Sequence, residues 1–394
     1  MWSFSHMNID ERINELRKEC DNYNRALEAL KGLAHEMLWD TDLKACVADG
    51  KAFFGRRMHS SEANRIAPSR KLTPDLVGQR TATSGFIVEL KASVPENAEH
   101  RQAKLEDVQK YDDDLLGWPT PTQKLDTHDL ILLIDYPNSE VIKRDIERML
   151  ASKQMTSERP FALVYFNHTQ RAEDTWLALH LISGQVSDSE KQQKLSRIQM
   201  MHPENIAANP IFGKVLIYDA CPPLPLLMLR LYTAIVSNLS EEEGLRLRLE
   251  GQFQKTYRLS EMKSILADYC CPEQTDPRVP NVPQTAWLKA VVRLWEDMGW
   301  ATKSDAQKGS FDIIIKKTRR EPFEQFLRAC ADEDCKKTRK REREQDRKEK
   351  LEEKIRDDNP LFAYLMAAGK GIDKSAPTLE NAVGIGDASD LPTE

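Results

Sequence analysis

The chain has 394 residues, 40% of them hydrophobic, a formal net charge of -6 and a pI near 5.9. Such a length suits two or three domains, and the acidic balance excludes a chain-wide basic footprint for nucleic acid, though not a local one. A mean hydropathy of -0.59 and a longest apolar stretch (Leu224 to Leu239) interrupted by Arg230 exclude a membrane span and predict a soluble protein. The first residues, Met1-Trp2-Ser3-Phe4-Ser5-His6, lack the basic and apolar regions of a signal peptide. Seven scattered cysteines, none in a CxxC pair, predict reduced thiols in a cytoplasm.

Residues 1 to 60 read as an N-terminal helical region. Ile9, Ile13, Leu16, Cys20, Tyr23, Leu27 and Leu30 recur at threes and fours and form one stripe. That stripe suits a partner chain or the next domain equally. A second helix is expected over Asp42 to Phe54, stopped by Gly55. Residues 61 to 240 read as an α/β core. Strands are expected at Lys71 to Gly78 and Gly85 to Ser93, a helix at Asn97 to Leu116, and a strand buried on both faces at His128 to Asp135. A helix at Val141 to Lys153 and a strand at Phe161 to Asn167 follow. This alternation predicts a mixed or parallel sheet flanked by helices.

The core carries one cluster with chemical content. Asp75 follows Pro74 at the start of an apolar run, and Glu89 and Lys91 stand two apart in Gly85-Phe86-Ile87-Val88-Glu89-Leu90-Lys91. Period-two geometry points Glu89 and Lys91 the same way. Two carboxylates beside an ammonium suit a metal site for cutting phosphodiesters. The residues resemble the PD-(D/E)XK (restriction-endonuclease-like) nuclease superfamily: Pro74-Asp75 matches one half of its motif and Glu89-Leu90-Lys91 the other. The resemblance implies an αβββαβ core. It gives Asp75, Glu89 and the Leu90 carbonyl as ligands of Mg2+, which Mn2+ can replace, and Lys91 as the group that orients the attacking water. It implies a further acidic ligand on a preceding helix, for which Glu62 is preferred over Glu36. Gln109, on the helix after the motif strand, is a candidate DNA contact, although the spacing to Tyr111 does not match the Gln–Tyr signature of some family branches. One family strand, near or before Asp75, is not visible in the sequence. His168 at a strand end reads as a satisfied polar group.

Beyond the motif, Thr175 to Ile182 is expected to put Leu177, Leu179 and Leu181 on one face of a strand, and Lys214 to Tyr218 is a short strand. Residues 241 to 320 form a second module. Helices are expected at Glu241 to Gln254, Ser260 to Tyr269 and Gln284 to Met298, then a hairpin of Trp300 to Lys303 and Phe311 to Lys317. Three helices and a hairpin resemble a winged helix. The resemblance implies DNA contacts from Lys289 and Arg293 on the third helix and from Lys316, Lys317, Arg319 and Arg320 near the wing. Residues 321 to 374 are a charged helical extension with a solvated single helix at Lys336 to Arg356, and residues 375 to 394 an acidic tail expected to be disordered.

Together these features predict a metal-dependent endonuclease acting on DNA. The family further implies a role in anti-phage defence, as a homo-oligomer or a subunit of a larger defence complex. No Walker loop is present, so any translocation would need a separate ATPase partner. The alternative is a non-catalytic DNA-binding or scaffold subunit that retains a nuclease-like core.

Overall fold

The computed structural model describes residues 8–38, 53–55, 59–61, 71–91, 97, 99, 107–118, 123–136, 144, 148, 151–152, 158–171, 174–202, 204–205, 221–270, 283–305, 307, 309–316 and 322–358. Expectations for Asp42 to Ala52, Glu62, most of Val141 to Lys153, Lys214 to Tyr218, Lys317, Arg319, Arg320 and the acidic tail lie outside them.

The protein is a mixed α/β structure. Helix α1 (Ile9–Leu38) precedes strands β1 (Phe53–Gly55), β2 (His59–Ser61), β3 (Lys71–Leu72), β4 (Leu76–Gln79), β5 (Ser84–Lys91), β6 (Leu115–Leu116), β7 (Thr127–Asp135), β8 (Phe161–Arg171) and β9 (Asp174–Gly184). Helix α2 (Ser189–Leu195) and strand β10 (Gln199–Met201) follow. Seven of these strands form one sheet in the order β1-β4-β5-β7-β8-β9-β10. Its left side, β1-β4-β5, is antiparallel. β5-β7-β8 is parallel, and β8-β9-β10 is antiparallel again. β7 lies between two parallel neighbours, which is why Leu130 to Ile134 form an unbroken apolar run.

Both faces of the sheet are covered. Cys20, Tyr23, Leu27, Leu30 and Leu33 of α1 pack on Leu76, Phe86, Val88, Ile131 and Leu133. The stripe on α1 therefore meets its own chain. Val77, Ile87 and Leu130 point to the other face, against Val108, Tyr111, Leu115 and Trp118. In β9, Leu177, Leu179 and Leu181 are buried, as the alternation requires.

Several elements differ from the sequence expectation. Phe53–Gly55, expected to end a helix, is the edge strand β1 beside β4. The expected strand from Lys71 to Gly78 is two strands in different sheets: β3 pairs with β2, and β4 with β1 and β5. Pro74 explains the break, because it offers no N–H to a ladder. The described part of Asn97 to Leu116 contains a short 3-10 helix, Asp107–Tyr111, and strand β6, which pairs with β2.

The next segment holds α3 (Leu224–Ser237), α4 (Glu241–Glu250), β11 (Gln252–Arg258), α5 (Leu259–Cys270), α6 (Thr285–Asp297), β12 (Ala301–Lys303) and β13 (Ser310–Lys316). The three strands form an antiparallel sheet in the order β11-β13-β12. The helix expected over Glu241 to Gln254 stops at Glu250, because Gly251 takes a left-handed φ of 73° and caps it. From there Phe253 and Tyr257 alternate into the core as a strand. α4 buries no residue; α3 instead supplies Leu227, Met228, Leu231, Ala234 and Ile235 to the cluster around Trp287, Leu288, Val291 and Trp295. Helix α7 (Pro322–Asp358) starts in the same cluster with Phe326, Leu327, Cys330 and Ala331. Residues up to Asp332 form one compact unit, and those from Glu333 a second.

Gly78 of β4 faces Phe86 of β5, and a Cβ there would overlap the Phe86 ring. Gly78→Ala is expected to lower unfolding stability by about 1–3 kcal/mol, with Phe86→Leu in the same chain recovering part of the loss. Denaturant unfolding of the two single variants and the double variant measures this; strictly additive effects would contradict the packing argument.

Candidate active site

The sheet brings Asp75 and Glu89 together. Leu76 pairs with Val88, so the antiparallel register carries the preceding residue, Asp75, toward Glu89. Glu89 lies under the 3-10 helix, whose Lys110 and Tyr111 it contacts. Asp75 sits in a bend before β4, where the ladder with β5 ends. Its carboxylate replaces the missing ladder acceptor, with Oδ2 taking the Leu90 N–H at 2.7 Å. Leu90 thus touches the site through its backbone, and its side chain is buried on the α1 face.

The Glu89 carboxylate meets three side-chain donors. Oε1 accepts from Lys91 Nζ at 3.1 Å and from Lys110 Nζ at 3.3 Å; Oε2 accepts from the Tyr111 hydroxyl at 3.0 Å. The side chains are 10% exposed for Glu89, 15% for Lys91 and 25% for Lys110. At this burial an unpaired carboxylate would be costly, and two ammonium groups offset that cost. Lys110 also lies 4.9 Å from the centroid of the Tyr111 ring.

Lys110 was not singled out in the sequence, and Tyr111 was considered only for a Gln–Tyr spacing that it does not match. They come from the 3-10 helix, 21 and 22 residues after Glu89. The only available signal is the apolar face shared by Val108, Tyr111 and Leu115. Gln109 belongs to the same short helix.

His128 seats that helix. Its Nε2 lies 2.9 Å from the Tyr111 carbonyl oxygen. A carbonyl only accepts, so this nitrogen carries the hydrogen. The chain of contacts runs from His128 on β7 through Tyr111 to Glu89 on β5. Burial pushes the His128 pKa down to about 4, against the hydrogen bond to Tyr111, which raises it.

The remaining expected residues lie elsewhere. Glu36 on α1 interacts with Lys191 and Lys194 of α2. His168 on β8 is held under α1, with Nε2–H donating to Glu28 at 2.8 Å and Nδ1 accepting from Arg25 Nε at 3.2 Å. Lys289 and Arg293 are exposed, one turn apart on α6. Lys316 Nζ donates to the Gly299 carbonyl, just past the end of α6, at 3.3 Å and lies 5.8 Å from the Trp300 ring centroid.

The donor set of Asp75 and Glu89 fits a hard divalent ion in kind, since both groups are carboxylates, one just before β4 and one on the paired strand β5. Among the described residues, no three His, Cys, Asp or Glu side chains converge as a metal site. No family model matches this chain, and no curated protein or solved structure is similar to it.

Because the folded protein holds His128 neutral with a pKa below its ordinary value, stability is full above about pH 6.5 and falls as the pH drops toward 4. Between pH 7.5 and 5 this one group is expected to remove about 2 kcal/mol. His128→Gln keeps a donor toward Tyr111 and abolishes the titration. Urea unfolding at the two pH values should show a shallower pH dependence for the variant; equal slopes would contradict the assignment.

Proposed function

We propose that the protein is a metal-dependent endonuclease that cleaves DNA phosphodiester bonds at Asp75, Glu89 and Lys91. The observation that carries the proposal is the buried pair of carboxylates, Asp75 just before β4 and Glu89 on the paired strand β5, with Lys91 against Glu89. Three further features support a nuclease-like core. A long helix precedes the sheet, β1-β4-β5 are neighbours in antiparallel pairing, and β7 joins β5 in parallel. In this reading β1 would be the strand that the sequence did not reveal.

Asp75 and Glu89 would hold Mg2+ or Mn2+. When bound, such an ion acidifies a water and neutralises charge on the leaving oxygen. The chain's own groups do the rest. Glu89 Oε1, which accepts from Lys91 and Lys110, would be a ligand atom for such an ion. Lys91 and Lys110 would then be available to hold the phosphate oxygens and the attacking water. Tyr111 keeps Glu89 oriented through Oε2. The 3-10 helix and β5 exclude bulk water from the carboxylate pair, where electrostatic stabilisation counts most.

The β11-β13-β12 sheet with α3, α5 and α6 supports a winged-helix-like module. In that reading α6, with exposed Lys289 and Arg293, is the helix that meets phosphates. The saturation of Glu89 by Lys91, Lys110 and Tyr111 favours one competing reading, a non-catalytic DNA-binding scaffold in which the cluster is purely structural.

Plasmid nicking by purified full-length protein with 5 to 10 mM MgCl2 or MnCl2 (about the level that fills weak carboxylate sites) separates the two. Asp75→Asn and Glu89→Gln are expected to abolish nicking without unfolding the chain. Lys91→Ala should lower its rate roughly a hundredfold or more. Lys91→Arg should not rescue, since a planar fork does not replace a compact ammonium. Wild-type activity in both carboxylate variants, or no nicking by the wild type, would leave the scaffold reading in its place.

A further inference from the structure

The second unit contains an unbalanced segment. From Lys336 to Arg343 the sequence has six Lys or Arg and one Asp or Glu; from Glu344 to Arg356 it has five of each. The whole excess of positive charge in this part of α7 therefore lies in its first eight residues. The basic residues of this segment are exposed.

The segment repels itself. Lys336 and Lys340, Lys337 and Arg341, and Arg339 and Arg343 are like-charged pairs four apart, and Arg343 has Arg347 four further on. Such pairs weaken a helix. Two lysines at the edges find acids, Lys337 with Glu333 at 3.5 Å and Lys340 with Glu344 at 3.8 Å. Among the described residues, no ion pair joins Arg339, Arg341 or Arg343 to an acid. The next turns are balanced in number, and Gln345 donates to Glu349 there at 2.8 Å; among the described residues, no ion pair joins Arg347, Lys348 or Lys350 to an acid either.

We infer that Lys336 to Arg343 is a docking segment for duplex DNA, lying in a groove between phosphate backbones. The arrangement of charge selects this partner. At about 100° per residue the six basic side chains spread over about 200° of the helix circumference. A flat anionic membrane meets one stripe of a helix and also needs an apolar face, and this segment has no apolar residue. A groove presents phosphates on both sides of an inserted helix. An α-helix with its side chains is about 10–12 Å across, which fits the width of the B-DNA major groove, about 12 Å. Continuous basic helices use this geometry in known DNA-binding motifs. The inference goes beyond the cleavage reading and does not need it: the segment would bind DNA in a scaffold as well as in a nuclease.

The test uses the full chain, EDTA to prevent cleavage, and fluorescence anisotropy of a labelled duplex of about 20 bp, long enough for two turns of groove, titrated across NaCl concentrations. R339Q/R341Q/R343Q is compared with R347Q/K348Q/K350Q, which removes the same charge from the balanced turns. The first variant should lose roughly tenfold or more in affinity, and its log K against log[salt] slope should fall by about 2 to 3. The control should stay within about twofold of the wild type. Circular dichroism should show both variants as helical as the wild type. A duplex RNA of the same sequence should compete poorly, because its major groove does not admit a helix. The inference is overturned if the wild type does not bind the duplex, if both variants lose equally, or if the first variant binds like the wild type. It is also overturned if duplex RNA competes as well as DNA, or if vesicles containing phosphatidylserine bind through these arginines in place of DNA.

Discussion

The buried Glu89 carboxylate is the interaction around which the core is arranged. An acidic side chain on the third strand of a seven-stranded sheet, under a helical cover, must be compensated or it destabilises the fold. Three donors from two elements meet it: Lys91 from its own strand, Lys110 and Tyr111 from the 3-10 helix. The same contacts fix the cover to the sheet, and His128 fixes the cover from beneath through the Tyr111 carbonyl. Asp75 closes the end of the β4-β5 ladder by accepting the Leu90 N–H. Packing and chemistry thus converge on the same few atoms.

A second buried ion pair lies at the opposite end of these strands. Asp129 on β7 accepts from Arg80 at 3.0 Å and from the Ser187 N–H at 2.9 Å. Burial raises the Asp129 carboxyl pKa, and Arg80 opposes that shift. This pair ties the turn after β4 to the segment after β9. It leaves the Glu89 end, where the charges are lysines on longer and freer stems, as the end at which partners can be exchanged.

Much of this was legible in the sequence where periodicity is strong. The apolar run of β7, the alternation of β9 and the stripe of α1 each follow from a single burial pattern. Glu89 and Lys91 were legible as neighbours because β5 is long and alternates cleanly, whereas Asp75 entered through the resemblance of Pro74-Asp75 to a family motif. What was hidden had short or conflicting signals. β1 has three residues, too few to show a period. Pro74 divides what looks like one strand. The acidic first turn of α4, with its Ser240 capping box, announces a helix strongly, and the sign of its end was a single glycine, Gly251. Lys110 was hidden for a different reason: it reaches Glu89 from a separate element, which no spacing rule along the chain encodes. The role of α3 was hidden similarly, since a uniformly apolar helix does not reveal which of two clusters it fills.

The most direct test of the central claim is where a divalent ion binds. Crystals grown with MnCl2 and measured at the manganese absorption edge would locate the ion by its anomalous signal. The account predicts a peak in contact with carboxylate oxygens of both Asp75 and Glu89, with at least one of Lys91 and Lys110 moved off Glu89 Oε1. A manganese peak elsewhere, or none, with both ammonium groups still on Glu89 Oε1, would contradict it.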